Sequence, residues 1–281
     1  MNARVRLVLI STLLVTGVLI LVGATYQGVA TALERRRYPH PGQLVDVGGH
    51  QLHIHCLGQG LPVVVLEAPA AGMSAAWGWV QPDVAQTTRV CSYDRAGLGW
   101  SEAGDRPYDP GRVPEELHAL LAAAKQPGPY VLAGYSLGAS FVRRFASVYS
   151  PDTAGLVLIA ESSNPGPNPR FLAVSPWLAR AGVLRATGVL SESWEGLPPA
   201  ASDVVRAFLH RPDHLTRASR EVERSDDAVR LGHDARLPAG LVVSTVSANL
   251  NDEQEARRVT AAIVGVVKAR RGSRSAARGL R

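Results

Sequence analysis

The sequence predicts an α/β protein: a mostly parallel central sheet with helices on both faces, a helical insertion, and an N-terminal transmembrane helix. Three observations lead there. Short apolar runs of strand composition alternate with segments of helical composition between residues 44 and 160, the arrangement of parallel sheets covered on both sides. A glycine-flanked serine, Gly134-Tyr135-Ser136-Leu137-Gly138, stands where one strand gives way to a helix. An uncharged run of eighteen residues, Leu7 to Ala24, precedes everything else.

Twelve of those eighteen residues are Leu, Ile or Val. At ~1.5 Å per residue they make a helix of ~27 Å, close to the hydrocarbon thickness of a bilayer. The run lacks the polar stripe of a buried core helix and reads as a single membrane anchor. A cleaved signal peptide is the alternative, because Val22-Gly23-Ala24 and Ala30-Thr31-Ala32 look like small-residue cleavage sites; signal apolar regions usually span only ~7–15 residues. Arg4 and Arg6 flank one end, and Arg35, Arg36 and Arg37 flank the other at a greater distance. These charges do not decide the orientation, and the reading leans to an extracytoplasmic body.

Leu44 to Val47 and His50 to Leu57, joined by Gly48-Gly49, read as a hairpin. Pro62 to Glu67 and Arg89 to Tyr93 are short strands of buried type. Glu115 to Lys125 is helical and stops at Gln126-Pro127-Gly128-Pro129. Tyr130 to Tyr135 is a strand, Leu137 to Tyr149 a helix, and Leu156 to Ala160 a strand. The texture then changes to Pro, Trp, Arg and short helical stretches, and Leu241 to Val246 returns to strand composition. The expected organisation is an anchor and linker over 1–37, core over 38–164, a helical lid over 165–234, a last and apparently incomplete piece of core over 235–267, and a basic disordered tail over 268–281.

The net charge of +6 excludes little by itself, because six uncompensated basic residues lie in 268–281 and the rest balances at 24 basic and 24 acidic. With no basic face on the body, no nucleic-acid partner is expected. No cluster of His, Cys and carboxylates has metal-ligand spacing, so neither metal nor organic cofactor is expected.

A serine between small residues at a strand-to-helix turn is thrust above the sheet, with the helix's free N–H groups aimed at any negative charge that develops there. Together with Tyr93-Asp94-Arg95-Ala96-Gly97-Leu98-Gly99-Trp100-Ser101, this motif resembles the α/β-hydrolase fold family. The chain is most similar to membrane-anchored bacterial members that begin with an apolar helix and a Val-Asp-Val-Gly-Gly-His hairpin, here Val45 to His50. The resemblance runs to about Val246. It implies that Ser136 is the nucleophile. The backbone N–H groups of Leu137 and Ala70 would form the oxyanion hole, Ala70 because Pro69 lacks an N–H. Asp94 would cap or pair locally in a structural loop.

In this fold the order is nucleophile, acid, histidine. Glu161, ending the Leu156 strand, is the candidate acid. The histidines are 40, 50, 53, 55, 118, 210, 214 and 233, and none follows the last strand. His233 is the candidate base, with His210 and His214 as other lid histidines within the same reading. Either Asn249 stands where the base belongs, or the chain leaves the family's pattern after Val246. Cys56 and Cys91 fall on neighbouring antiparallel strands of the implied sheet; two buried thiols are the plainer expectation and a cross-strand disulfide the alternative. The implied function is hydrolysis of an ester, amide or similar acyl bond in a small-molecule acyl substrate. The alternative is a hydrolase-like protein without its base, retained as a binding or scaffold module.

Overall fold

In the computed structural model, residues 2–161, 168–190 and 194–279 are described. Seven strands form one sheet: β1 (Gln43–Asp46), β2 (Gln51–Leu57), β3 (Val64–Glu67), β4 (Val90–Tyr93), β5 (Tyr130–Tyr135), β6 (Thr153–Glu161) and β7 (Val242–Ala248). Their order is β1-β2-β4-β3-β5-β6-β7. The pairs β1–β2 and β2–β4 are antiparallel and the others parallel. β6 starts at Thr153, ahead of the apolar run that marks it in the sequence, because Thr153 pairs with Tyr130 across an irregular register.

Alternate side chains divide the core into two layers. Val64 and Leu66 of β3 and Val131 and Ala133 of β5 point to α2 (Val80–Ala85) and α10 (Glu253–Gly279), meeting Val80, Val84, Val259, Ile263 and Val267. Val65 and Leu132 point the other way, to α3 (Val113–Ala123) and α4 (Leu137–Val148), where Leu117, Leu121, Val142 and Phe145 fill the layer. All of these are buried. Strands buried on both faces show continuous apolar runs rather than alternation, which is why they stand out in the sequence.

The insertion folds as α5 (Pro169–Arg180), α6 (Val183–Thr187), α7 (Pro199–Leu209), α8 (Pro212–Glu223) and α9 (Ser225–His233). Ahead of the sheet, α1 (Ala3–Arg37) runs for 35 residues, or ~52 Å, and is the one helix among the described residues long and apolar enough to cross a membrane. Its large apolar side chains up to Val22 are exposed. Its second half grips the lid. The buried Gln27 donates to the His210 carbonyl at 2.7 Å and accepts from Arg185 Nε at 3.0 Å, while Arg185 also forks onto the Glu34 carboxylate.

Two expectations are corrected. Residues 268–279, expected to be disordered, continue α10, and Arg271 donates to the carbonyls of Leu61 at 2.7 Å and Thr87 at 3.1 Å. Arg and Ala are strong helix formers, and the stripe from Val259 to Val267 supplies the apolar face that composition alone hid. The cysteines, for which two thiols were the plainer expectation, form the alternative cross-strand disulfide. They stand directly opposite in the β2–β4 register with Cα atoms 4.0 Å apart, a pairing that sequence spacing does not reveal.

The disulfide spans 35 residues, and in the chain-entropy model a loop of that size contributes ~3–4 kcal/mol. The double variant Cys56→Ala/Cys91→Ala is expected to lose stability of that order in a urea titration of the full chain in detergent. Unchanged midpoint and slope would contradict it.

Candidate active site

Ser136 lies at the junction of β5 and α4 with φ 52° and ψ −118°, a conformation that L residues rarely adopt and that costs about 1–3 kcal/mol. The surroundings impose it. Ser136 N–H donates to the Ile159 carbonyl at 2.8 Å and Ala139 N–H to the Ser136 carbonyl at 3.0 Å. A Cβ at Gly134 would lie 2.4 Å from the Gly138 oxygen, and one at Gly138 would lie 2.6 Å from the carbonyl oxygens of Glu67 and Ala68. Both glycines are therefore required for the start of α4 to come this close to the end of β3. The Ser136 side chain is half-buried, and its hydroxyl has no hydrogen-bond partner among the described residues. The N–H groups of Leu137 and Ala70 likewise find no acceptor among them. Ala70 packs against the cluster that contains Leu137, Phe141 and Tyr108.

The loop that carries Ala70 is held by a buried charge cluster. Arg95 donates to the carbonyls of Ala68 at 2.9 Å and Pro69 at 2.7 Å, to Glu67 at 2.5 Å, and through two nitrogens to Glu221 of α8 at 2.8 Å each. Glu221 also accepts from Ala71 N–H at 3.1 Å, and the Tyr93 hydroxyl donates to Glu67. Arg95, Glu67, Tyr93 and Glu221 are all buried. Burial alone would raise the Glu221 pKa, but its paired bonds to Arg95 hold it below the ordinary carboxylate value. Burial prevails at Glu67 and pushes its pKa up despite Arg95. Sequence reasoning singled out none of Glu67, Arg95 and Glu221. One local signal was present, a lone carboxylate closing the apolar run Val63 to Leu66.

Asp94 has the structural surroundings its loop implies. It accepts from Ser74 N–H at 2.6 Å, Trp100 N–H at 3.0 Å and the His53 ring at 2.9 Å. A Cβ at Gly99 would lie 2.3 Å from its carboxylate, so only glycine fits there. His53 is sandwiched between this carboxylate and the Pro41 carbonyl, two groups that only accept. When protonated, the ring can donate to both. Burial opposes that charge, but Asp94 outweighs it and the His53 pKa is raised.

Among the described residues, none of the lid histidines is hydrogen-bonded to Ser136. His233 is exposed, with Asp234 at 3.5 Å as its partner. His214 is buried and fully used: Nδ1 accepts from Gly99 N–H at 3.1 Å, Nε2–H donates to the Ala71 carbonyl at 3.2 Å, and burial pushes its pKa down to about 4. His210 is also buried, and burial lowers its pKa. Glu161 pairs through its backbone with Ala248 at the end of β6, and its side chain lies outside the described residues. Asn249 is part of a cap: its carboxamide oxygen accepts from Asn251 N–H at 3.0 Å and its N–H donates to Glu255 at 2.5 Å, while Asp252 accepts from Glu255 N–H at 2.9 Å to open α10.

A sheet of this order, crossed by an elbow that presents a strained serine, defines the α/β-hydrolase class. Residues 52–272 match the model of the Alpha/beta hydrolase family, and the chain belongs to that family. The match continues past Val246, where departure from the family's pattern was one of the two readings. A Gibberella zeae protein described as an AB hydrolase superfamily protein is 32% identical over 120 residues, covering 42% of this chain and 37% of that protein. An uncharacterized Schizosaccharomyces pombe protein is 33% identical over 116 residues, covering 39% of this chain and 22% of its own length. The alignments thus span well under half of either relative. Among solved structures, the Cif epoxide hydrolase of Acinetobacter nosocomialis superposes with a TM-score of 0.62 at 13% identity, covering 85% of each chain. The enol-lactonase of Burkholderia xenovorans gives 0.61 at 17% identity, covering 80% of this chain and 100% of that one. At these identities the likeness shows the fold alone.

Arg95→Ala leaves the buried Glu67 without its cation and Glu221 with only Arg217, at 3.4 Å, and is expected to cost about 3–5 kcal/mol of unfolding free energy, read by chemical denaturation; a loss below about 1 kcal/mol, the ceiling for most exposed pairs, would contradict the clamp. The His53 pair sets a pH dependence. Since its folded pKa is raised, its contribution is fully present below the unfolded value near 6.5 and is lost as pH rises through the folded value. Thermal melts of wild type should decline across that window, and those of His53→Gln should lack the decline.

Proposed function

We propose that this chain is a hydrolase that attacks ester, amide or similar acyl bonds through Ser136, with the N–H groups of Leu137 and Ala70 binding the oxyanion. The observation that carries this reading is the strained elbow serine, whose hydroxyl, like the N–H groups of Leu137 and Ala70, has no partner among the described residues. A donor pair preorganised for developing negative charge is usually the largest single catalytic contribution in acyl transfer. Glu161 and His233 remain the candidate acid and base of this reading, and no metal or cofactor enters it. The substrate is a small-molecule acyl compound.

α1 is read as a single anchor in a bilayer. A disulfide that persists belongs to an oxidising compartment, and Cys56–Cys91 therefore supports a body on the extracytoplasmic side.

The second reading, a binding or scaffold module, is favoured by the histidines. All eight lie among the described residues, and none is bonded to Ser136. An elbow and oxyanion hole without a base retain only ~10³–10⁴-fold catalysis over water. A fluorophosphonate probe on the full chain is expected to label Ser136 and to leave Ser136→Ala unlabelled, with p-nitrophenyl ester turnover confined to that residual range. Because His233 is the candidate base, His233→Ala is expected to slow labelling; labelling at the wild-type rate would remove it from that role, as its exposed ring beside Asp234 allows. A wild type that neither labels nor turns over ester would overturn the enzyme in favour of the binding module.

A further inference from the structure

Helix α5 and the turn after it carry apolar side chains that are exposed among the described residues. Among the described residues beyond α1, eight large apolar side chains are exposed, and four of them, Val174, Trp177, Val183 and Val189, fall within residues 174–189. Trp177 is 71% exposed. Val174 and Trp177 stand three apart on α5 and share one face, while Leu172, Ser175, Pro176 and Ala179 bury the other. The Arg180 guanidinium lies 5.1 Å over the Trp177 ring, and Arg170 is exposed near the start of the helix.

This segment touches α1 at a telling level. A Cβ at Gly23 would lie 2.0 Å from the Ala181 oxygen, and one at Gly182 would lie 2.6 Å from the Gly23 oxygen, so the two backbones are in contact. Gly23 is the last residue but one of the uncharged run Leu7 to Ala24. The turn between α5 and α6 therefore meets α1 where its apolar stretch ends. If that stretch fills the hydrocarbon, the turn lies at the headgroup layer.

We propose that the outer face of α5 and the α5–α6 turn form a second membrane contact, with Val174, Trp177, Val183 and Val189 entering the interfacial layer of a lipid bilayer beside the anchor. This contact presupposes that α1 spans the bilayer, as proposed above. Its continuity with α1 selects lipid as the occupant, since a soluble partner would share that level with the headgroups. The chemistry agrees. An amphipathic indole prefers the membrane interface, and Arg170 and Arg180 can lay their stems along apolar surface while their heads stay in the polar layer.

The test uses the full chain in nanodiscs of phosphatidylcholine with a minor share of phosphatidylglycerol. Spin labels are placed singly through Val174→Cys, Trp177→Cys, Leu14→Cys in the anchor, and Val229→Cys, an exposed site on α9; the native cysteines stay paired. Collision rates with oxygen, which partitions into lipid, and with a polar nickel chelate, which does not, are then compared. The labels at 174 and 177 are expected to favour oxygen several-fold, as the label at 14 does, while the label at 229 favours the chelate. If 174 and 177 behave like 229 while 14 remains in lipid, the second contact is refuted and the anchor stands. If 14 also favours the chelate, the anchor reading fails and the contact with it.

Discussion

One buried guanidinium joins three parts of the chain that lie far apart in sequence. Arg95 leaves the end of β4, reaches Glu67 at the end of β3, and takes Glu221 from α8 of the lid. Placing three charges in an apolar interior costs several kcal/mol per ion unless almost every polar atom is matched, and the match here is close. Glu221 receives the paired fork of Arg95 as well as Ala71 N–H, whereas Glu67 receives one guanidinium nitrogen and the Tyr93 hydroxyl. Together with Arg217, a second cation 3.4 Å from Glu221, that asymmetry accounts for the opposite displacements of the two carboxyl groups. The spare donors of Arg95 go to the carbonyls of Ala68 and Pro69. The loop that carries Ala70 is thus fixed through its oxygens, and the Ala70 N–H has no acceptor among the described residues.

The same cluster makes the helical insertion part of the site's framework. α8 contributes Glu221 and His214, and His214 ties Gly99 of the Asp94 loop to Ala71. α9 lies so close to α4 that a Cβ at Gly232 would meet the Cα of Ser140 at 2.6 Å. On its far side the lid is held by α1 through Gln27 and through the Arg185–Glu34 pair, whose side chains are 10% and 18% exposed. A pair so shielded from solvent is not weakened by screening as surface pairs are. The linker beyond α1 adds its own grip, with the Tyr38 carbonyl accepting from Trp100 and the Pro41 carbonyl from His53. Tilting of α1 would therefore be felt both at the lid and at the Asp94 loop.

What could be read in the sequence follows from the range of each interaction. The core strands were legible because burial on two faces leaves unbroken apolar runs, as in Val63 to Leu66. Ser136 was legible because an elbow is a local steric demand, met by glycines two positions either side. α2 was not, being one short turn and a half with a proline inside its first turn. α10 was obscured by arginine and serine, although its apolar positions recur at helical spacing from Val259 to Val267. The Glu67–Arg95–Glu221 cluster and the cysteine register had no local signature, because their partners are assembled only by the sheet and the lid. The histidines misled for the same reason: His214, His210 and His233 lie in one lid, but their surroundings there are respectively saturated, buried and exposed.

The strain at Ser136 comes from packing rather than from chemistry. The close approach of Gly138 to the end of β3 and the bond to Ile159 hold the residue whether or not a base ever takes its proton. On the proposed function, what remains for reactivity is the positive end of α4, equivalent to roughly half a charge, and the N–H groups of Leu137 and Ala70, which have no acceptor among the described residues. These would stabilise an oxyanion as it forms. They do not accept the serine proton, and they do not deliver one to a departing group. An amine leaves a tetrahedral intermediate only when it is protonated, which is the service that a positioned imidazole performs. An acidic alcohol or phenol leaves without that help. On the proposed function, the ease with which the leaving group departs therefore decides, more than the identity of the acyl part, which bonds this site can break.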